Sequence, residues 1–407
     1  MKTNNLAKLV LAIGITFSVV SCTVEVREDN DGASTTNPPS TTENVLEGTG
    51  TLSGSLSKNV LVKKGNYTLD GVVEVNRGVT LTIEPGAVFT ANSSKGSSLV
   101  VLQGGKIMAE GTATEPIVFT SDLKKPGDWG GVTLYGEAPI KALNGVNQAL
   151  SEDGNAIYYG GAEANSNSGS MKYVRVEYGG KKIGDGTSET NSFTFYAVGA
   201  GTTLENLVAY KGTDDGYEFF GGTVSGKNLV AYGNYDDSFD WQDAWSGQSN
   251  SNWFAYQTEI GNFGMEIEAS ANIDNIAPKV NGVTLIRAAG TKPESAGSVE
   301  ITAIQFKKQG SGIFSNVFID GYKNTDGKQA YSVLIQDVAT ETEQVNKGKI
   351  VVSPANQVNS DNLNIWGYAY TPNGGKTFTS DAAVKKVVLA SGNWATVNGV
   401  DLLAALK

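Results

Sequence analysis

The chain of 407 residues carries 31 Lys and Arg against 42 Asp and Glu, a formal net charge of −11, and no His. Such an acidic balance repels polyphosphate, so nucleic-acid binding is set aside. The absence of His excludes a Ser-His-Asp triad, a Cys-His dyad and His-ligated zinc, and the single Cys excludes an intrachain disulfide.

Residues 1–21 have the parts of a secretory signal: Lys2 and Lys8, then an apolar run from Leu9 to Phe17 that is too short to span a bilayer. Val19-Val20-Ser21-Cys22 resembles a bacterial lipobox, which implies that Cys22 is lipidated and becomes the mature N-terminus. The acidic stretch Glu25-Val26-Arg27-Glu28-Asp29-Asn30-Asp31 resembles the surface-export signal of Bacteroidota lipoproteins. Residues 22–47 are rich in Ser, Thr, Asn and Pro and read as a tether with a reach of at most roughly 70 Å. The expected location is therefore the outer membrane, on the cell surface, held by lipid on Cys22.

From residue 48 the chain alternates short apolar runs with Gly, Asn and Asp turns, as in Val72-Val73-Glu74-Val75 and Leu99-Val100-Val101-Leu102. An internal repeat organises them. Asn206-Leu207-Val208-Ala209-Tyr210 returns as Asn228-Leu229-Val230-Ala231-Tyr232 and, loosely, as Asn252-Trp253-Phe254-Ala255-Tyr256, at steps of 22 and 24 residues. Looser variants begin at Asn281 and Asn316. This period suits one coil of a right-handed parallel β-helix and is too short for a propeller blade. The recurring Asn predicts an internal ladder of side-chain amides at about 4.8 Å spacing. The expected organisation is an all-β solenoid over residues 48–375, with residues 48–70 as its N-terminal cap and a C-terminal cap over 376–407. In the latter, Ser380-Asp381 would start a helix through Ala382–Leu389, and Val400–Leu406 would form another.

Leu69-Asp70-Gly71 through Leu81-Thr82-Ile83-Glu84-Pro85-Gly86, Gly104-Gly105-Lys106-Ile107, Glu115-Pro116-Ile117-Val118-Phe119-Thr120 and Gly127-Asp128-Trp129-Gly130-Gly131 resemble the secreted β-helix proteins common in Bacteroidota and related to a leptospiral outer-membrane lipoprotein. The resemblance covers most of residues 60–270. It implies the fold and the location, and carries no agreed activity.

Three segments align with one another: Asp214-Asp215-Gly216-Tyr217-Glu218-Phe219-Phe220, Asp236-Asp237-Ser238-Phe239-Asp240-Trp241-Gln242 and Asn262-Phe263-Gly264-Met265-Glu266-Ile267-Glu268. Strand alternation turns Tyr217, Phe239 and Met265 inward with Phe219, Trp241 and Ile267, and leaves Glu218, Asp240 and Glu266 as an outward column. Asp214, Asp215, Asp236 and Asp237 stack on the preceding turn. Like charges one rung apart repel by about 3 kcal/mol per pair at an effective dielectric near 20. Ca²⁺ on these seven acids would offset that; solvent screening, Lys211 and Lys227 as ion partners, or hydrogen bonds from turn amides are the structural alternative. Phe220, Trp245 and Trp253 are candidate platforms for stacking on sugar rings.

The function expected from these features is non-catalytic: a surface lipoprotein that binds a glycan, a cation or a neighbouring outer-membrane protein along its acidic face. One alternative is a polysaccharide hydrolase or lyase using Glu218, Asp240 and Glu266, although the four Arg, at 27, 77, 175 and 287, lie outside the acidic segments. The other is a structural spacer. The loops 136–170 and 287–298 are too irregular to place.

Overall fold

A computed structural model describes residues 44–183, 188–272, 276–294 and 300–407. The signal sequence, Cys22 and residues 23–43 of the tether lie outside the described residues, while residues 44–47, expected in the tether, already belong to the strand Asn44–Leu56. From Asn44 onward the chain winds into coils, each contributing a strand segment to each of three stacked parallel sheets. The architecture is a parallel β-helix. The first strand among the described residues, Asn44–Leu56, pairs in parallel with Val60–Val75, so residues 48–70 are rungs of the solenoid itself.

The repeat has a plain structural cause. Thr203–Tyr210, Gly226–Tyr232 and Asn250–Gln257 each run along the first face, bend, and continue on the second. The bend is Asn206, Asn228 or Asn252, at φ of 55°, 56° and 57°. Asn tolerates this left-handed region better than other residues with a Cβ. Its side chain then bonds along the stack: Asn228 Nδ2 donates to Asn206 Oδ1 at 2.8 Å, and Asn252 Nδ2 to Asn228 Oδ1 at 3.0 Å. The ladder runs along a part-buried corner rather than through the interior. In the next coil Gly282, at φ 81°, takes the bend, and Asn281 one residue earlier accepts the bond from Asn316 Nδ2 at 2.7 Å.

The third face is made of short strands, among them Phe193–Tyr196, Tyr217–Phe220, Phe239–Gln242, Met265–Ile267 and Ile304–Phe306, all in parallel register. Their inward side chains fill the coil with stacked rings. Phe193 and Tyr217 lie 5.1 Å apart, Tyr217 and Phe239 5.3 Å, and Phe239 and Trp253 4.7 Å. Stacked pairs of this kind contribute about 0.5–1.5 kcal/mol each beyond their buried area.

The C-terminal segment departs from the expected helical cap. Ala382–Leu389 forms no helix; it runs extended back along the outside of the second face. Asn356 Nδ2 donates to Val384 O, and Val387 N donates to Thr284 Oγ1 at 2.9 Å. Farther on, Arg175 Nη1 donates to Asn393 O at 2.8 Å and Trp394 O at 3.1 Å. Val387, Trp394, Val397 and Leu402 thereby cover the outward-facing Val208, Val230 and Phe254. Burial of that apolar row outweighs the local helix tendency of a segment that combines two Ala, two Lys and a Leu with three Val. The last residues form a small hairpin, Thr396–Val397 with Val400–Asp401, and a 3₁₀ turn, Ala404–Leu406. The open end of the solenoid is packed instead by Trp366 and Phe378, which join the main core.

Candidate functional site

The third face carries the acidic column on its outer side. Strand register sets Glu218 beside Asp240 and Asp240 beside Glu266. The turn leading into each strand is held by a carboxylate or amide of the previous rung. Asn191 Oδ1 accepts from Asp215 N at 3.2 Å, Asp215 Oδ1 from Asp237 N at 2.9 Å, and Asp237 Oδ1 from Phe263 N at 2.6 Å. One turn position earlier, Asp236 Oδ1 accepts from Asn262 Nδ2 at 2.5 Å. These bonds explain why the turns are Asp-rich: a short acceptor is needed to catch the next rung's amide.

Within the column the partners are uneven. Glu218 accepts from Asn191 Nδ2 at 2.5 Å and from Gln242 Nε2 at 3.1 Å. Glu266 is paired with the Lys307 ammonium. Asp240, 9% exposed, has its Oδ1 buried with no hydrogen-bond partner. Lys307 and Lys308 both reach Glu268, at 3.5 and 2.7 Å. No ion pair among the described residues reaches Asp215, Glu218, Asp237 or Asp240.

These groups line a cleft of about 300 Å³ together with Glu152, Glu189, Asp214 and Asp236. Burial first, and then the neighbouring carboxylates, holds Asp215, Glu218, Asp237 and Asp240 well above the usual carboxylate range. Burial, with the charges of Glu294 and Glu266 added, pushes Asp236 up to about 7. Burial alone would lower Lys307, but Glu266 and Asp240 outweigh it and hold the ammonium far above its ordinary value. Carboxylate oxygens come within 4.8 Å of one another in four groups: Glu189–Asp214–Asp236, Asp215–Asp236–Asp237, Asp215–Glu218–Asp240 and Asp237–Asp240–Glu266. An all-oxygen, anionic donor set of this kind fits a hard divalent cation such as Ca²⁺.

The site gathers all seven acids expected from the sequence, Asp214, Asp215, Glu218, Asp236, Asp237, Asp240 and Glu266, around one cleft. It does not bring the other candidates there. Trp245 and Trp253 are wholly buried inside the coil, their indole N–H groups donating to Val224 O and Gly226 O, so neither is a stacking platform. Phe220 faces outward, almost wholly covered beside Tyr159 and Tyr196, and lines the cavity next to the acidic cleft rather than the cleft itself. Lys211 pairs with Glu259 at 3.0 Å and Lys227 with Glu205 at 2.8 Å, away from the acids.

Sequence reasoning missed Asn191, Glu152, Glu189, Lys307 and Lys308. Lys307 follows a strand, Ile304–Phe306, whose register continues that of Met265–Ile267, so aligning one further rung would have found it. Glu152 arrives on the loop after Tyr135, which packs Ile140, Ala142 and Tyr159 against the third face. That loop walls a second cavity of about 640 Å³, lined by Leu143, Val146 and Tyr159 and adjoining the acidic cleft at Glu152, Gln242, Glu268 and Lys308.

Residues 54–395 match the family described as "Pectate-lyase like beta helix domain", and the chain belongs to that family. The solved Family 28 exopolygalacturonase of Yersinia enterocolitica is similar over 78% of this chain and 60% of its own, at 12% identity and a TM-score of 0.25. The chain therefore spans about 60% of that enzyme's length, and a likeness this distant carries no argument about chemistry. No curated protein matches the sequence.

Proposed function

We propose that this member of the pectate-lyase-like β-helix family is a non-catalytic, surface-displayed lipoprotein whose acidic cleft takes up Ca²⁺ and uses it to bind an anionic partner. The observation that carries the reading is Asp240: a buried carboxylate oxygen without a donor, between two further carboxylates, in a cleft whose two lysines are already engaged. A buried charge in this position must be protonated or paired. A hard cation satisfies it together with its neighbours. An extracellular position, expected from the signal sequence and Cys22, supplies Ca²⁺ at concentrations the cytoplasm does not. A cation held mainly by carboxylates retains coordination positions for water or for an acidic group of a glycan or of an outer-membrane protein.

Lys307 and Lys308 lend some support to a polysaccharide-cleaving alternative, since a lyase needs a basic group beside its cation. Both ammonium groups, however, are already engaged, Lys307 with Glu266 and Lys308 with Glu268, so neither stands free as the base. The deciding experiment is incubation of the purified chain with neutral and acidic polysaccharides, in Ca²⁺ or in chelator. Retention on a glycan that requires Ca²⁺, without new reducing ends or unsaturated products, is the expected result. Products that disappear in the Glu218→Gln/Asp240→Asn/Glu266→Gln variant would make the protein an enzyme. Absence of Ca²⁺ uptake, retention and products would leave the spacer.

A further inference from the structure

The carboxylate groups in the cleft repeat by one rung. Moving one coil along the solenoid carries Asp215 onto Asp237, Glu218 onto Asp240 and Asp240 onto Glu266. The group Asp215–Glu218–Asp240 thereby becomes Asp237–Asp240–Glu266, and in each the oxygens lie within 4.8 Å of one another. Asp240 belongs to both, and its Oδ1 is the buried oxygen that no donor reaches. The row stops on both sides. One rung before Glu218 the column holds Thr194, and one rung after Glu266 it holds Gln305; Asp215 is preceded by Asn191 and Asp237 is followed by Phe263.

We infer that the cleft holds two divalent cations in a row, one on Asp215, Glu218 and Asp240 and the next on Asp237, Asp240 and Glu266, with the Asp240 carboxylate bridging them. The inference rests on the cation reading of the cleft and adds its stoichiometry and order. Charge supports it: Asp215, Glu218, Asp237 and Asp240 belong to none of the cleft's ion pairs among the described residues, and with all four ionised a single divalent ion leaves two negative charges over. The bridging geometry also supports it, because a carboxylate has two oxygens and can serve a cation on either side. The two sites are unequal. Glu266 is already paired with Lys307, so the second cation competes with an ammonium group while the first does not. The first site is therefore the tighter.

The test is calorimetric titration of the metal-stripped, purified chain with Ca²⁺ alone, with bound metal counted by elemental analysis. Two ions per chain in two resolved steps are expected. Asp215→Asn removes the tighter step, Glu266→Gln the weaker, and Asp240→Asn both. Lys307→Met keeps every carboxylate and tightens the weaker step by roughly tenfold, since it removes the competing charge. Melting of each variant in chelator verifies that it is folded. One ion per chain, or loss of the same step by Asp215→Asn and Glu266→Gln, overturns the paired sites and leaves single-cation binding standing. Absence of binding by the unaltered chain sinks the cation reading and the inference together.

Discussion

Asp240→Asn inverts its own effect on stability with the supply of Ca²⁺. The Asp240 carboxylate lies within 4.8 Å of oxygens of Asp215 and Glu218 on one side and of Asp237 and Glu266 on the other. At an effective dielectric near 20, two unit charges at that distance repel by about 3.5 kcal/mol. Protonating Asp240 is the escape, and at about pH 8 that costs about 1.4 kcal/mol for each pH unit above the ordinary value, or about 6 kcal/mol. Without cations, then, replacing Asp240 by its neutral isostere recovers roughly 3 kcal/mol, and the variant is the more stable protein. With Ca²⁺ at about a thousandfold over its dissociation constant, each occupied site adds about 4 kcal/mol to the unaltered chain and nothing to the variant. The denaturation curves of the two proteins, measured by urea titration at about pH 8 in chelator and in excess Ca²⁺, cross over. A variant less stable than the parent in chelator, or one that gains as much as the parent from Ca²⁺, would refute the reasoning.

The same acids set a pH dependence. Asp215, Glu218, Asp236, Asp237, Asp240 and Glu266 all have folded values above their ordinary ones, burial being the first cause in each. The native state thus retains protons that the unfolded chain has released. In chelator, stability falls as pH rises from about 4, by about 1.4 kcal/mol per pH unit for each proton retained, and the share of Asp236 is complete near pH 7. Excess Ca²⁺ flattens that slope, so melting temperatures that rise between about pH 4.5 and 7 in chelator would contradict the assignment. On the second face, Trp394→Ala opens the contact of the C-terminal strap with Tyr173 and its cover over Val208 and Val230, and destabilises by about 3 kcal/mol. Limited proteolysis then releases the strap, while the Ca²⁺ titration stays unchanged because the cleft is on another face.

Those features that repeat at the coil period could be read from the sequence. Asn206, Asn228 and Asn252 mark the same bend in successive coils, and the alternation around Glu218, Asp240 and Glu266 assigns inside and outside correctly because strand side chains have a period of two. Features that depend on length changes between coils were hidden. Lys307 sits one rung beyond Glu268, but the insertion between Arg287 and Ile304 breaks the spacing that would have aligned it. Trp245 and Trp253 look like surface platforms beside acids, yet the coil is wide enough that rings stack inside it. Trp253 lies 4.7 Å from Phe239, and Trp245 lies 4.6 Å from Phe219. The strap failed as a helix prediction because Ser380-Asp381 followed by Ala, Val and Lys satisfies local capping rules, while the decisive partner, the apolar row Val208–Val230–Phe254, is more than a hundred residues earlier.

A parallel β-helix multiplies whatever residue stands at a given position, and the consequences differ with the chemistry of the side chain. An Asn in the row both donates and accepts, so Asn206, Asn228 and Asn252 satisfy one another up the stack without outside help. Rings in the row gain dispersion from each neighbour, as Phe193, Tyr217 and Phe239 do. A carboxylate can only accept. In a row of carboxylates each member adds repulsion and brings no donor, so the positive charge must come from elsewhere: from backbone N–H groups, from Lys, or from an ion. This chain uses the first for one oxygen each of Asp215 and Asp237, and the second at the Glu266 end. Neither reaches the Asp240 oxygen in the middle of the row. Had stability been the sole requirement, Asn at position 240 would have continued the pattern used at the corner and removed the conflict. Keeping three acids in register on Glu218, Asp240 and Glu266 sacrifices stability in the cation-free state, which is the arrangement expected of a site whose positive charge is supplied by its ligand.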